Sequence, residues 1–160
     1  MKKSDLKEFL DEKVILYNNP KFIDSDPIQI PHLFSKKEDI EIAAFLTSII
    51  SWGNRTMIIR NSFKMMELFD NAPHDFILNH QEKDLKNLEG FVHRTFNELD
   101  FQQFIKSLQH IYMQYGGLEK ALSITDHSKT YQSSIHHFKS IFFEVAHLER
   151  TQKHISDPFK

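Results

Sequence analysis

Cysteine is absent from this chain of 160 residues, which rules out disulfides and thiolate metal sites. Only four glycines and five prolines are present. That is little turn material for a protein of many β-hairpins, so helices joined by short links are expected. Positive charge is not in excess: 20 lysines and arginines against 22 acidic residues leave a formal charge of −2. No global field therefore attracts nucleic acid, although a local basic patch is compatible with that balance. The longest apolar run, Ile42 to Ile50, includes Thr47 and Ser48 and falls far short of the roughly 20 residues that span a bilayer. Met1 to Lys13 lacks an uninterrupted apolar stretch before charge resumes, so no secretory signal and no membrane partner are expected. The expected location is the cytoplasm.

Phenylalanine is what the chain has in abundance, fifteen residues within a composition 40% hydrophobic and 26% charged. This suits one globular domain, residues 1–160, with a core of aromatic plates. The stretch that organises it is Ser35 to Asp70. Ser35 and Glu38 have capping-box spacing. Beyond them Ile40, Ile42, Ala43, Ala44, Phe45, Leu46, Ile49 and Ile50 leave almost no polar face. A helix over about Lys36–Ser51 is therefore expected at the centre of its domain, surrounded by others. Gly53 suits a left-handed cap and Asn54 an N-cap, so a second helix, Arg55 to about Phe69, leaves a tight corner.

Around this pair the spacing predicts a helix from Ser4 to Asn18, capped by Ser4 and striped by Leu6, Phe9, Leu10, Val14 and Tyr17. Pro20, Pro27 and Pro31 mark an ordered crossing segment, since Phe22, Ile23, Ile28, Ile30 and Phe34 can tie it down. Pro73 suits the first turn of a short helix, His74 to Asn79, and residues 80–90 are expected to form a surface loop or single turn anchored by Leu85 and Leu88. Gly90 to Phe96 is strand-like but without a partner for its backbone, so it is expected to be irregular or helical. Helices are expected over Asn97–Tyr115, ended by Gly116, over Leu118–Ile124, and, after a break at Thr125–Ser128, from Ser128 to Thr151. The fold class is all-α. Ser156-Asp157-Pro158-Phe159-Lys160 reads as a turn into another element, so the chain is expected to be the N-terminal part of something longer.

Few constellations carry chemistry. His136 and His137 are adjacent and diverge on a helix, and His136 and His147 share a helical face about 16 Å apart. No HExxH pattern and no i, i+4 histidine pair exists, so no metal and no cofactor are expected. Asp24 and Asp26 suit a turn before Pro27, and Glu38 and Asp39 suit a helix start. Gly116-Gly117 lacks a phosphate-loop context. The corner Ser51-Trp52-Gly53-Asn54-Arg55-Thr56 differs. A helix N-terminus offers free N–H groups to an anion, Arg55 and Arg60 add charge, and Trp52 can stack on a base. The plainer alternative is an αα-corner with its own cap and a buried tryptophan.

The stretch IEIAAFLTSIISWGNRTMIIRNSFKMMELF resembles the first helices of the helix-hairpin-helix DNA glycosylase superfamily. DPIQIPHLFSKKEDIEIAAFLTSIISWGNR, with FVHRTFNELDFQQFIKSLQHIY and YGGLE, resembles a bacterial family of uncharacterised proteins associated with that fold. The resemblance implies a glycosylase-like N-terminal helical part that faces duplex DNA through Ser51, Trp52, Asn54, Arg55 and Thr56, with His93 and Arg94 beside them. The superfamily's polar motif is usually glutamine-rich, whereas here it reads Trp52-Gly53-Asn54-Arg55. Its phosphate-binding hairpin and catalytic aspartate or lysine lie in a later half. Tyr115-Gly116-Gly117-Leu118 lacks the hairpin's apolar-Pro-Gly pattern, so catalytic residues are not assigned in this chain. The rival expectation is a non-catalytic helical interaction module, whose apolar helix faces pack on a missing C-terminal half or a partner chain.

Overall fold

The computed structural model describes residues 2–123 and 130–159. Over Lys37–Leu68 the local signals and the observed elements agree well, because apolar spacing and helix ends are short-range properties. α3 (Lys37–Ile49) and α4 (Arg55–Leu68) form the central pair. Against α3 pack α5 (Pro73–Asn79), α8 (Leu118–Leu122) and two 3₁₀ turns at Pro27–Gln29 and Pro31–Leu33. α7 (Glu98–His110) continues as a π-helical turn over Ile111–Tyr115 and stops at Gly116, whose φ of +73° needs no Cβ. α9 (Tyr131–Phe142) lies against α7 and α8. α6 (Glu82–Leu85) and the turn Lys86–Leu88 bury Leu85 and Leu88 as anchors. The described residues are helical apart from turns, links and one two-residue hairpin, so the domain is all-α.

The aromatic plates meet in one cluster. Phe104 of α7 sits with ring centroids 4.8 Å from Phe142, 5.1 Å from Phe96 and 6.1 Å from Phe45. Phe101 reaches Phe91 at 4.9 Å and Phe69 at 5.5 Å, so rings from the α4 end, the hairpin and α7 are joined in the same core. Offset and edge-to-face pairs of this kind add to simple area burial. Tyr112 in the π turn donates its hydroxyl to Glu41 Oε2 at 2.9 Å and ties α7 to α3. Burial and this bond push its phenol well above the usual tyrosine range.

Several expectations are corrected. α3 is not enclosed on all sides: Ile40, Ala44 and Ser48, one above the other at i, i+4 and i+8, are open to solvent. Ser35 and Glu38 do not form a capping box; the N-cap is Lys36 without a side-chain bond. Asp39 instead accepts from His74 N at 2.8 Å and so caps the neighbouring α5. α1 (Lys3–Tyr17) starts one residue ahead of Ser4, with Asp5 accepting from Lys2 N, and buries none of its stripe. α2 (Pro20–Ile23) leads into the crossing segment, which is ordered as expected, with Ile30 and Pro31 buried.

Phe91 to Asn97 is neither irregular nor helical. β1 (Val92–His93) pairs antiparallel with β2 (Phe96–Asn97), Val92 opposite Asn97 and His93 opposite Phe96. The strand's partner is the same stretch folded back across Arg94-Thr95, and Arg94 accepts a φ of +55° to make the turn. The last helix ends at Phe142 rather than Thr151, so His136 and His147 do not share a helix. Glu144 is bonded to His110 at 2.8 Å and Tyr115 at 2.8 Å, and residues Glu149–His154 form a separate 3₁₀ helix. Ile124, the Thr125–Ser128 break and the expected helix start at Ser128 lie outside the described residues.

Candidate functional site

After α3 the chain turns through Ser51, Trp52 and Gly53. Trp52 N donates to Ile50 O at 2.7 Å and Gly53 takes a φ of +97°, so the corner is pushed outward. Trp52 is 69% exposed and not the buried tryptophan of a self-contained corner. Asn54 caps α4, its side-chain oxygen accepting from Met57 N at 3.1 Å. A Cβ added at Gly53 would lie 2.6 Å from Arg94 Nη1, so the missing side chain is what admits the Arg94 guanidinium against the corner.

His93 fastens the hairpin to this corner from beneath. Its Nδ1 receives the Asn61 amide N–H at 2.8 Å, which leaves Nε2 to carry the proton and donate to Trp52 O at 3.3 Å. The ring is buried and acts as a strut between α4, β1 and the corner. Beside it opens a cavity of about 280 Å³ lined by Ile49, Ile50, Trp52, His93, Arg94, Thr95, Phe96, Lys153, His154 and Ser156. Its fixed charges among the described residues are Arg94 and Lys153, and no carboxylate of those residues lines it.

The far wall is held by Asp100, which is fully buried. Its carboxylate accepts from Thr151 Oγ1 at 2.7 Å, Arg150 Nη2 at 2.9 Å and the backbone N–H of Asn97 at 3.1 Å. Arg150 also donates to Thr95 O at 3.0 Å, closing the wall onto the hairpin. His154 stands with Nε2 3.5 Å from Asp100 Oδ2 and its ring edge-on to Phe96 at 5.1 Å. Desolvation pushes the His154 imidazole below its ordinary value, outweighing the opposite pull of Asp100. The unfolded chain thus binds this proton more readily, and the neutral ring's contribution to stability is lost as pH falls below about 6.5. The stability advantage of wild type over His154→Gln is expected to shrink between about pH 7.5 and pH 5.5 in urea titrations. A gap that stays constant with pH would remove this role.

Of the sequence-derived site residues, Trp52, His93 and Arg94 meet in one cavity. Ser51 and Arg55 face a second hollow on the other flank of the corner, Asn54 is engaged as a cap, and Thr56 is exposed in the first turn of α4. Arg60 lines a separate hollow with Lys64 and Glu67. Sequence reasoning missed Lys153, His154 and their anchor Asp100. The adjacent Lys153-His154, just past the helix end expected at Thr151, was the available signal. Among the described residues no cluster of three or more histidine, aspartate or glutamate side chains is placed to hold a metal ion, and no helix is long and apolar enough to cross a membrane.

No curated protein matches the chain, and neither does any solved structure. Residues 26–160 match the family described as Protein of unknown function (DUF2400), and the chain belongs to that family.

Proposed function

For this member of the DUF2400 family we propose nucleic-acid binding at the corner, with duplex DNA as the partner and a glycosylase-like, base-excision-related role as its setting. One observation carries the reading. The exposed Trp52 indole stands beside a base-sized cavity whose fixed charges, Arg94 and Lys153, are both cationic in a chain of net charge −2. An aromatic plate for stacking and cations for the backbone are what an unstacked nucleotide requires. The resemblance of the α3–α4 stretch to the helix-hairpin-helix glycosylases supports the same orientation toward DNA, and catalytic residues are not assigned within this chain.

The test is equilibrium binding of the protein to plain and abasic-site duplexes across a salt series, by fluorescence anisotropy. Arg94→Ala with Lys153→Ala is expected to flatten the log K against log salt slope by roughly 1.8, about 0.9 for each phosphate that is no longer neutralised. Trp52→Ala is expected to weaken abasic-site binding by about 1–3 kcal/mol with little change in slope. Unchanged affinity and slope in both variants would sink the assignment.

A second reading, a non-catalytic interaction module, is favoured by α1. None of its residues is buried, and Leu6, Phe9, Leu10, Val14 and Leu16 are all exposed. A 15-residue helix in isolation is marginal in water. That reading requires self-association or capture of a partner, and a compact monomer in sedimentation velocity counts against it.

A further inference from the structure

The cavity beside Trp52 is lined by one group whose charge is set by its surroundings. His154 stands there with Arg94 and Lys153, its side chain only 9% exposed. Its Nε2 has no hydrogen-bond partner among the described residues, although Asp100 Oδ2 is 3.5 Å away. That carboxylate has room for it. A carboxylate offers about four lone-pair sites. Thr151 Oγ1 occupies one on Oδ1, and Arg150 Nη2 and the Asn97 N–H occupy two on Oδ2. A neutral ring with its proton on Nδ1 turns a lone pair toward this buried anion, whereas a protonated ring turns an N–H toward it.

The groups around the ring pull in opposite directions. Burial disfavours the imidazolium, and so do Lys153 and Arg150 on its own 3₁₀ helix. Asp100 on α7 favours it. The hairpin brings Arg94 and His93 to the same cavity, and the rings of Phe96 and Phe104, with centroids at 5.1 Å and 6.4 Å, add no formal charge. In the free protein burial and the cations prevail, and the ring is neutral near pH 7. An anion in the cavity reverses that balance, because an opposite charge within about 4–6 Å favours the charged form.

We propose that His154 is the third cation of this cavity, and that a nucleic-acid phosphate entering it is bound with the uptake of one proton on the His154 ring. The inference rests on the nucleic-acid reading of the Trp52 cavity and adds to it a binding residue and a pH dependence. The proton comes from solvent, and Nε2–H then pairs with Asp100. Nε2 need not touch the ligand: the charge is spread over the imidazolium, and the ring lines the cavity. By linkage the effect is reciprocal. Bound nucleic acid makes His154 hold its proton more firmly, and a fall in pH tightens the binding of nucleic acid.

The experiment is an anisotropy titration of the whole chain with an abasic-site duplex at constant salt, from about pH 8 to about pH 6. His154→Gln is measured beside wild type; it keeps a polar side chain but cannot take up a proton, and the other histidines contribute alike to both proteins. The ratio of wild-type to variant affinity is expected to grow about tenfold across this range as the pH falls. Ring-carbon NMR of wild type, with and without the duplex, follows His154 directly and decides alone if the variant does not fold. Its titration midpoint is expected to move to higher pH when the duplex is bound. Two results would overturn the proposal while leaving nucleic-acid binding at the cavity in place: parallel pH profiles for the two proteins, or a His154 midpoint that the duplex leaves unmoved or lowers. Absence of duplex binding by wild type at every pH overturns both this proposal and the reading on which it rests.

Discussion

Asp100→Ala is expected to cost the fold about 2–4 kcal/mol in urea denaturation. A buried hydroxyl left unpaired costs about 1–3 kcal/mol, and a lost helix cap adds about 1. Both losses occur together here, because Thr151 Oγ1 and the Asn97 backbone N–H share this one carboxylate. Arg150 is more than a third exposed and can return to water, so its own contribution is small. Asp100→Asn keeps an acceptor for Thr151 and is expected to lose less. The same change loosens the cationic wall, since Glu149–His154 hangs on Asp100 through Arg150 and Thr151. A shift within about 0.5 kcal/mol of wild type, a size usual for surface substitutions, would show that the network is ornamental.

Phe104→Ala is expected to be at least as damaging, about 3–5 kcal/mol, because a wholly buried ring leaves a cavity that its neighbours fill only in part. Those neighbours are themselves large plates, Phe45, Phe96 and Phe142, held by three different segments, and none can collapse inward without moving its backbone. Phe9→Ala on α1 is the matched control: its ring is half exposed and α1 buries nothing, so the change is expected to stay within about 0.5 kcal/mol. The comparison is made by chemical denaturation of both variants. Similar losses from the two would mean that α1 is packed in solution as firmly as the core.

Helix α1 shows how periodicity misleads. Leu6, Phe9, Leu10, Val14 and Tyr17 fall at helical spacing, as do the apolar residues of α7, yet one set is bare and the other is the floor of the core. A stripe states that a face can be buried, and only the position of other elements states whether it is. The hairpin at Val92–Asn97 fails for a related reason: its partner strand is adjacent in sequence, and the turn relies on a left-handed arginine that no glycine or asparagine signals. α9 ends at Phe142 because the bonds of Glu144 to α7 and the burial of Thr151 and Ile155 outweigh continued helix propensity.

What the sequence determined by itself is the helical class, the α3–α4 pair with its Gly53 turn and Asn54 cap, and the identity of the corner that carries Trp52 and Arg55. These rest on apolar spacing and on hydrogen bonds spanning three or four residues, which the chain specifies locally. The tertiary structure alone decided that Trp52 faces outward, that Arg94 lies against Gly53, and that Lys153 and His154 complete a cationic cavity beside them. Those contacts join residues about 40 to 100 positions apart, and they exist because buried groups such as Asp100 and His93 must find their partners wherever the packed core places them.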